Sequence, residues 1–152
     1  MNRTDTTDRF SQKVFSPALV VKNKDDQIIL LVEVKNLSTA SLEQEKLFDY
    51  MRGFAPPIYF GMLADSQKIQ IFKREEEDKP ELILELKTAE ILSHYEPEFT
   101  SKSIYITYLT SLIGSWLRDL AYHWNSEFPP AWQEMEGIGL LSQLAEGTTE
   151  EL

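Results

Sequence analysis

The apolar run from Ile28 to Val34 constrains the fold more than any other part of the sequence, because it is interrupted by a single charge at Glu33. A continuous run rich in Ile, Leu and Val is typical of a strand that is buried on both faces of a sheet. A shorter apolar run at residues 19–21 precedes it, and the connecting KNKDDQ contains residues that favour tight turns. We therefore predict a β-hairpin whose second strand lies within a sheet and ends near Glu33.

Segments of helix and strand character follow the hairpin. Residues 41–54 have apolar side chains at helical spacing, with Thr39 or Ser41 as the capping residue and Pro56-Pro57 after the end. Residues 58–72 have the pattern of a second hairpin, residues 81–87 that of a further strand, and residues 103–124 that of a long helix. This order predicts an α/β fold, with a mixed sheet of about five strands flanked by helices.

The predicted helix at residues 103–124 is more apolar than a single contact surface explains. Its apolar stripe runs through Ile104, Tyr108, Leu112, Trp116, Leu117, Leu120 and Trp124. Such a helix needs the sheet on one side and a second cover on the other. Either the C-terminal segment or a second copy of the chain, in a homodimer, would supply that cover.

Length and composition limit the organisation of the chain. A sequence of 152 residues that is 42% hydrophobic is sufficient for one core, so we predict a single domain over residues 1–142. Residues 143–152 end in GTTEEL and carry acidic but no basic side chains, which predicts a flexible acidic tail.

Charge and sequence pattern also bear on partners and location. A net charge of −10 argues against a protein that wraps nucleic acid through a broad basic face, so any nucleic-acid binding is expected to be weak and local. The chain has no cysteine, no signal-peptide pattern at its start and no run of about 18 apolar residues. We therefore expect a cytoplasmic protein without a membrane partner.

The triplet Glu33-Val34-Lys35 is the strongest indication of chemistry. Side chains alternate along a strand, so Glu33 and Lys35 project from one face and Val34 from the other. In one interpretation, the Glu33 carboxylate and the Val34 carbonyl oxygen ligate a divalent cation such as Mg²⁺, while Lys35 activates a water molecule. In the other, the strand reaches solvent here, and the two charges pair with each other or with neighbouring side chains.

The residues around this triplet resemble the PD-(D/E)xK nuclease superfamily, which has the restriction-endonuclease-like fold. The resemblance rests on Pro17-Ala18, on the triplet and on a following helix that carries Gln44 and Tyr50, and it covers residues 15–75. In that superfamily a Pro-Asp motif begins one strand of a hairpin and the acidic triplet ends the next, so that both acids bind one metal ion. The resemblance implies phosphodiester hydrolysis with Mg²⁺ or Mn²⁺. It makes Glu33, Lys35 and Gln44 the catalytic residues, and Glu33 and the Val34 carbonyl the metal ligands.

One position departs from the pattern of the superfamily. Ala18 stands where the metal-binding aspartate is expected, and it has no side-chain oxygen. Three explanations are open: activity was lost while the fold was kept, another acid replaces the aspartate, with Asp25 and Asp26 the nearest in sequence, or the residue was changed in this chain. Asp25 and Asp26 lie in the predicted turn, about 20 Å from Glu33 at ~3.3 Å per residue, which favours a role in the turn. We therefore expect a nuclease-like protein with little or no hydrolytic activity.

A protein of another class is the alternative. A non-catalytic acidic α/β scaffold or adaptor would hold a partner protein, or a second copy of itself, through the apolar C-terminal helix. The surroundings of Glu33 distinguish the two hypotheses. A concave pocket around Glu33 and Lys35 favours the nuclease-like protein, and a flat edge with both charges paired favours the scaffold.

Overall fold

The computed structural model describes residues 17–35, 40–54, 56, 58–75 and 79–151. Its strands are β1 (Leu19–Lys22), β2 (Ile28–Val34), β3 (Phe60–Ala64), β4 (Lys68–Lys73), β5 (Glu81–Lys87) and β6 (Thr148–Glu151). Its helices are α1 (Ala40–Arg52), α2 (Thr88–Leu92), α3 (Ile106–Tyr122), α4 (Trp132–Gly137) and α5 (Leu141–Leu144), with a 3-10 turn at Phe99–Ser101. Two predicted caps of α1, Thr39 and the side chain of Ser41, lie outside the described residues.

The six strands form one mixed sheet in the order β5-β4-β3-β2-β1-β6. The pair β2 and β3 is parallel, with α1 in the crossover between them, and the other neighbouring pairs are antiparallel. The predicted α/β class, a mixed sheet flanked by helices, is confirmed. The predicted number of about five strands is too low, because β6 lies in residues 143–152, where the sequence predicts a flexible tail.

Strand β6 closes one edge of the sheet, although its side chains are mostly exposed and polar. It pairs with β1 in antiparallel register, with Thr148 opposite Lys22. Gly147 permits this approach, because a Cβ at that position would lie 2.1 Å from the carbonyl oxygen of Lys22. The Lys22 ammonium also lies 3.5 Å from the Glu150 carboxylate. Backbone pairing needs no apolar side chains, which is why the acidic composition of this segment did not predict a strand.

The two faces of the sheet carry separate apolar cores. Neighbouring residues Leu31 and Val32 point to opposite cores, as expected for a strand buried on both faces. The larger core lies between one face and the helices after β5, and it includes Val32, Val34, Met62, Ile71, Ile113 and Trp116. The smaller core lies between the other face and α1, and it includes Leu31, Leu47, Phe48, Met51, Leu63 and Phe72.

Helix α3 is covered on both sides by the chain itself. Ile113, Trp116 and Leu117 are fully buried in the larger core. Residues of the C-terminal segment belong to the same core, namely Met135, Leu140 and Leu144. Of the two covers considered, the C-terminal segment therefore provides the second one. Within the described residues, no helix has the length and apolar character needed to cross a membrane.

Candidate functional site

The β1–β2 hairpin places Ala18 beside Glu33. Leu19 pairs with Val32, and Ala18, one residue earlier, lies at the end of β2 that carries Glu33. The backbone at Ala18 hydrogen-bonds to the Glu33 carboxyl. The Ala18 N–H donates to the Val32 carbonyl at 2.7 Å, which holds this end of the hairpin closed. Because Ala18 precedes the first paired residue of β1, its side chain need not follow the alternation of side chains along the strand. The Ala18 methyl group contacts the larger core.

Asp25 and Asp26 lie at the other end of the same hairpin and form its turn. Both are exposed, and Asp26 has a φ of 68°, a backbone conformation that aspartate tolerates better than most residues. The Asn23 side-chain oxygen accepts from the backbone N–H groups of Asp25 and Gln27, each at 3.0 Å. These two acids are turn residues, distant from Glu33.

Glu33 is a buried carboxyl between β2 and α1. Only 9% of the residue is exposed, and burial raises the pKa of its carboxyl to about 7. The negative charge of Glu43 on α1 adds to this rise, while hydrogen bonding to the backbone at Val34 and Ala18 and the charge of Lys46 oppose it. Glu33 therefore keeps its proton to a higher pH than an exposed glutamate does.

Lys35 forms a buried ion pair with Asp65. The Lys35 ammonium donates to Asp65 Oδ2 at 2.9 Å, and each side chain is 2% exposed. The other oxygen of Asp65 accepts from the backbone N–H groups of Gln67 at 2.7 Å and Lys68 at 2.8 Å. Burial acts to raise the pKa of Asp65, but these hydrogen bonds and the Lys35 charge hold it below its usual value.

Parallel strands bring this pair together. The Lys35 N–H donates to the Ala64 carbonyl at 2.9 Å, which extends the β2–β3 pairing by one residue and sets Lys35 beside Asp65. Thr88 at the start of α2 donates its hydroxyl to the Asp65 carbonyl at 2.8 Å. Asp65 was missed in the sequence because DSQ has the pattern of a hairpin turn. The available signal was its place at the end of a strand that follows a strand–helix unit.

The structure brings together some of the predicted site residues. Ala18, Glu33, Val34 and Lys35 lie at one end of the sheet, as the hairpin requires. Lys35 pairs with Asp65. For the charge of Lys35, the structure therefore agrees with the interpretation in which the charges of the triplet pair with neighbouring side chains. Gln44 is half-buried on α1. Its support of Lys35 stays a prediction.

Among the described residues, oxygen ligands for a divalent cation are few at this end of the sheet. Mg²⁺ is held by carboxylates and keeps a near-octahedral shell of oxygens. Ala18 supplies no side-chain oxygen, burial raises the pKa of the Glu33 carboxyl and so favours its protonated form, and Asp65 is occupied by Lys35. The residues present therefore fit a tightly held Mg²⁺ poorly.

A second polar cluster fixes the end of α3. The buried Asp119 accepts from the Tyr95 hydroxyl at 2.7 Å and from the backbone N–H groups of Asn125 and Ser126 at 2.9 and 3.0 Å. His94 Nε2 lies 2.7 Å from the Ser126 hydroxyl. Burial acts to raise the pKa of Asp119, but these hydrogen bonds keep it below its usual value. The cluster anchors the loop that leaves α3.

Together, fold and site define an α/β protein with a mixed six-stranded sheet and a charged cluster at the ends of two parallel strands. Comparisons of the chain with protein-family models, with curated proteins and with solved structures found no match.

Proposed function

We propose that the chain is a nuclease-like protein of the PD-(D/E)xK type, with a restriction-endonuclease-like fold and an impaired site for metal-dependent phosphodiester hydrolysis. The observation that carries the proposal is the β1–β2 hairpin, which brings Ala18 to the end of β2 that carries Glu33 and Lys35. The backbone at Ala18 hydrogen-bonds to the Glu33 carboxyl. The Ala18 methyl group contacts the larger core, so an aspartate at position 18 would have to turn its carboxylate toward Glu33 for the two acids to share one metal ion.

The order of elements around the triplet supports the same proposal. The β1–β2 hairpin is followed by helix α1 and then by strand β3. Strand β3 runs parallel to β2, the second strand of the hairpin. The triplet ends the buried strand β2, and α1 covers the face from which Glu33 projects. A resemblance that rested on short motifs thus gains support from the spatial arrangement of those motifs.

Three features support impairment. Ala18 lacks an oxygen ligand, burial raises the pKa of the Glu33 carboxyl to about 7, and the Lys35 ammonium is buried in an ion pair with Asp65. A lysine held in this way is not available to orient a water molecule beside a metal ion. Substrate would have to be nucleic acid that approaches a chain with a net charge of −10, which weakens the encounter.

The acids nearest in sequence do not replace the absent aspartate. Asp25 and Asp26 form the turn at the other end of the hairpin. Glu43 on α1 is the acid whose negative charge raises the pKa of the Glu33 carboxyl, after the larger effect of burial.

The surroundings of Glu33 do not decide between the two hypotheses, because Glu33 and Lys35 are both buried and Lys35 is paired with Asp65. The scaffold alternative receives less support from its expected docking surface. Its docking surface was the apolar face of the C-terminal helix, and that face of α3 is buried against the sheet and the C-terminal segment. Exposed apolar side chains remain near the two ends of α3, namely Tyr105, Ile106, Tyr108, Tyr122 and Trp124. They form two groups, one at each end of the helix, rather than one stripe along it.

Restoring the aspartate tests the proposal. We expect the unmodified chain to leave plasmid DNA, single-stranded DNA and RNA uncut with Mg²⁺ or Mn²⁺, and Ala18→Asp to gain cleavage that Glu33→Gln abolishes. Ala18→Asn is the matched control, because it has the same shape without the negative charge. Cleavage by the unmodified chain that Glu33→Gln abolishes would contradict the impairment. A folded Ala18→Asp protein that cuts nothing and binds no Mn²⁺ would contradict the nuclease-like assignment.

A further inference from the structure

A half-open cavity lies at the end of the sheet opposite Glu33. Its volume is about 680 Å³, within the usual size of small-molecule sites. The β1–β2 turn, the residues after α1, the start of β3 and the residues after β4 surround it. Strand β2 has seven residues between the two ends of the sheet, which separates the cavity from Glu33 by roughly 20 Å.

Arg74 lines this cavity, and two nitrogens of its buried guanidinium have no hydrogen-bond partner in the part of the chain that the structure describes. The residue is 8% exposed, and neither its Nε nor its Nη1 has a hydrogen-bond partner. Its backbone is fixed, because the Arg74 N–H donates to the Tyr59 carbonyl at 2.8 Å. Buried donors without acceptors are rare and costly in native proteins, and those of a charged group cost the most.

The other charges at the cavity do not compensate Arg74. The Lys73 ammonium lies 3.6 Å from the Glu75 carboxylate and 5.5 Å from the centre of the Phe60 ring. Glu75 is thus engaged by Lys73, and within the described residues, which do not include 76–78, the Nε and Nη1 of Arg74 have no acceptor.

The remaining wall of the cavity is apolar and partly aromatic. Ile28, Phe54, Ile58 and Phe60 all line it, and Ile58 and Phe60 are buried. An apolar wall beside a cationic donor matches a molecule with an anionic oxygen group at one end and an apolar or aromatic body at the other.

We propose that this cavity binds a small organic anion, with its carboxylate or phosphate oxygens on the buried N–H groups of Arg74 and its apolar body against Phe54, Ile58 and Phe60. The proposal goes beyond the nuclease-like function and does not depend on it, because no residue of the Glu33 end lines the cavity. Binding would complete the hydrogen bonds of Arg74 and bury its charge together with an opposite one.

Phenyl phosphate and benzoate are the probes, and benzyl alcohol is the neutral control. In a ¹H–¹⁵N NMR titration of the full chain, we expect at least one of the two anions to shift the amide signals of Tyr59, Phe60 and Arg74. We expect benzyl alcohol to bind at least tenfold more weakly. Binding by phenyl phosphate alone identifies a phosphate site, and binding by benzoate alone a carboxylate site. The absence of shifts at these amides with 10 mM of either anion would overturn the proposal.

Two variants assign the binding to the guanidinium. Arg74→Gln is expected to lower the affinity at least tenfold, while Lys87→Gln, which removes an exposed cation on β5, leaves it unchanged. Arg74→Met is expected to keep or raise the midpoint of thermal unfolding without ligand, because it removes a buried charge without partners. Unchanged affinity in Arg74→Gln would overturn the proposal, and so would a lowered unfolding midpoint in Arg74→Met, which would make Arg74 a structural residue.

Discussion

Glu33 and Lys35 lie two residues apart on one strand, yet their charges are compensated in different ways. Lys35 has a carboxylate at hydrogen-bond distance, and that carboxylate has two backbone donors of its own. Glu33 has a second carboxylate, Glu43, in its surroundings. The fold therefore stabilises the positive charge of Lys35, and it raises the pKa of Glu33 and so disfavours the negative charge of that residue.

The raised pKa of Glu33 makes stability depend on pH. The folded chain keeps the Glu33 proton up to about pH 7, whereas the unfolded chain loses it near 4.5, so the free energy of unfolding falls as pH rises between these values. One pKa unit corresponds to about 1.4 kcal/mol, and partial solvation reduces the effect, so we expect a loss of roughly 1–2 kcal/mol.

Urea denaturation at pH 5 and pH 8 measures this loss. Glu33→Gln, which stays neutral, is expected to lose less stability than the unmodified chain between the two pH values, and to be the more stable protein at pH 8. An equal loss in both proteins would show that Glu33 titrates normally.

The Lys35–Asp65 pair is expected to be costly to break from one side. Asp65→Asn leaves a buried ammonium without a counter-charge, and we expect it to lower the free energy of unfolding by about 3–5 kcal/mol. Adding Lys35→Met removes that ammonium and is expected to recover much of the loss in urea denaturation.

An exposed ion pair provides the control for this measurement. Arg52 and Asp49 pair on the surface of α1, and Asp49→Asn is expected to change stability by less than about 1 kcal/mol. A double variant that is no more stable than Asp65→Asn alone would contradict a coupled buried pair.

At the scale of elements, α1 determines the electrostatics of the β2 end. Its length is close to what the sequence predicts, since residues 41–54 were expected and Ala40–Arg52 is observed. The apolar spacing of Leu47, Phe48 and Met51 predicted which side of the helix is buried. The same spacing does not say which strand end the polar side chains approach, so the influence of Glu43 and Lys46 on Glu33 required the structure.

Charge changes on α1 are expected to move the titration of Glu33 in opposite directions. Glu43→Gln removes a negative neighbour and lowers the pKa of Glu33, while Lys46→Gln removes a positive one and raises it. The ¹³C chemical shift of the Glu33 carboxyl, followed against pH, measures both. Glu45→Gln, an exposed change on the same helix, is the control and should leave the midpoint unchanged. Identical midpoints in all three variants would contradict this role of α1.

Strand β6 is expected to depend on the glycine before it. Gly147→Ala forces a Cβ against the Lys22 carbonyl and should separate β6 from β1, at a cost of roughly 1–3 kcal/mol in urea denaturation. Gly137→Ala is the matched control, because no atom lies within 4 Å of a Cβ added there, and it should be neutral or slightly stabilising. Equal stability of the two variants would contradict a tightly paired β6.

At the scale of the whole molecule, features with local causes were predicted and those with distant causes were not. The β1–β2 hairpin follows from apolar runs and turn residues that are adjacent in sequence. Strand β6 and the Lys35–Asp65 pair depend on partners far away in the chain, Lys22 with Thr148 and Lys35 with Asp65. Periodicity and composition carry no information on such pairings.

The sheet also separates two kinds of charge across the molecule. One end holds the Glu33, Lys35 and Asp65 cluster, and the other holds Arg74 in a cavity with apolar walls. We propose phosphodiester hydrolysis, restored by mutation, for the first end and binding of a small anion for the second. Variants at one end are therefore expected to leave the function of the other unchanged.

Calorimetric titration of Mn²⁺ into the unmodified chain, Ala18→Asp and Ala18→Asn is the most direct measurement. We expect Ala18→Asp to bind Mn²⁺ at least tenfold more tightly than the other two proteins, because only this variant adds a carboxylate at the end of the hairpin that carries Glu33. Addition of Glu33→Gln to Ala18→Asp should remove the gain. Equal, weak binding by all three folded proteins would contradict a nuclease-like site that lacks one ligand.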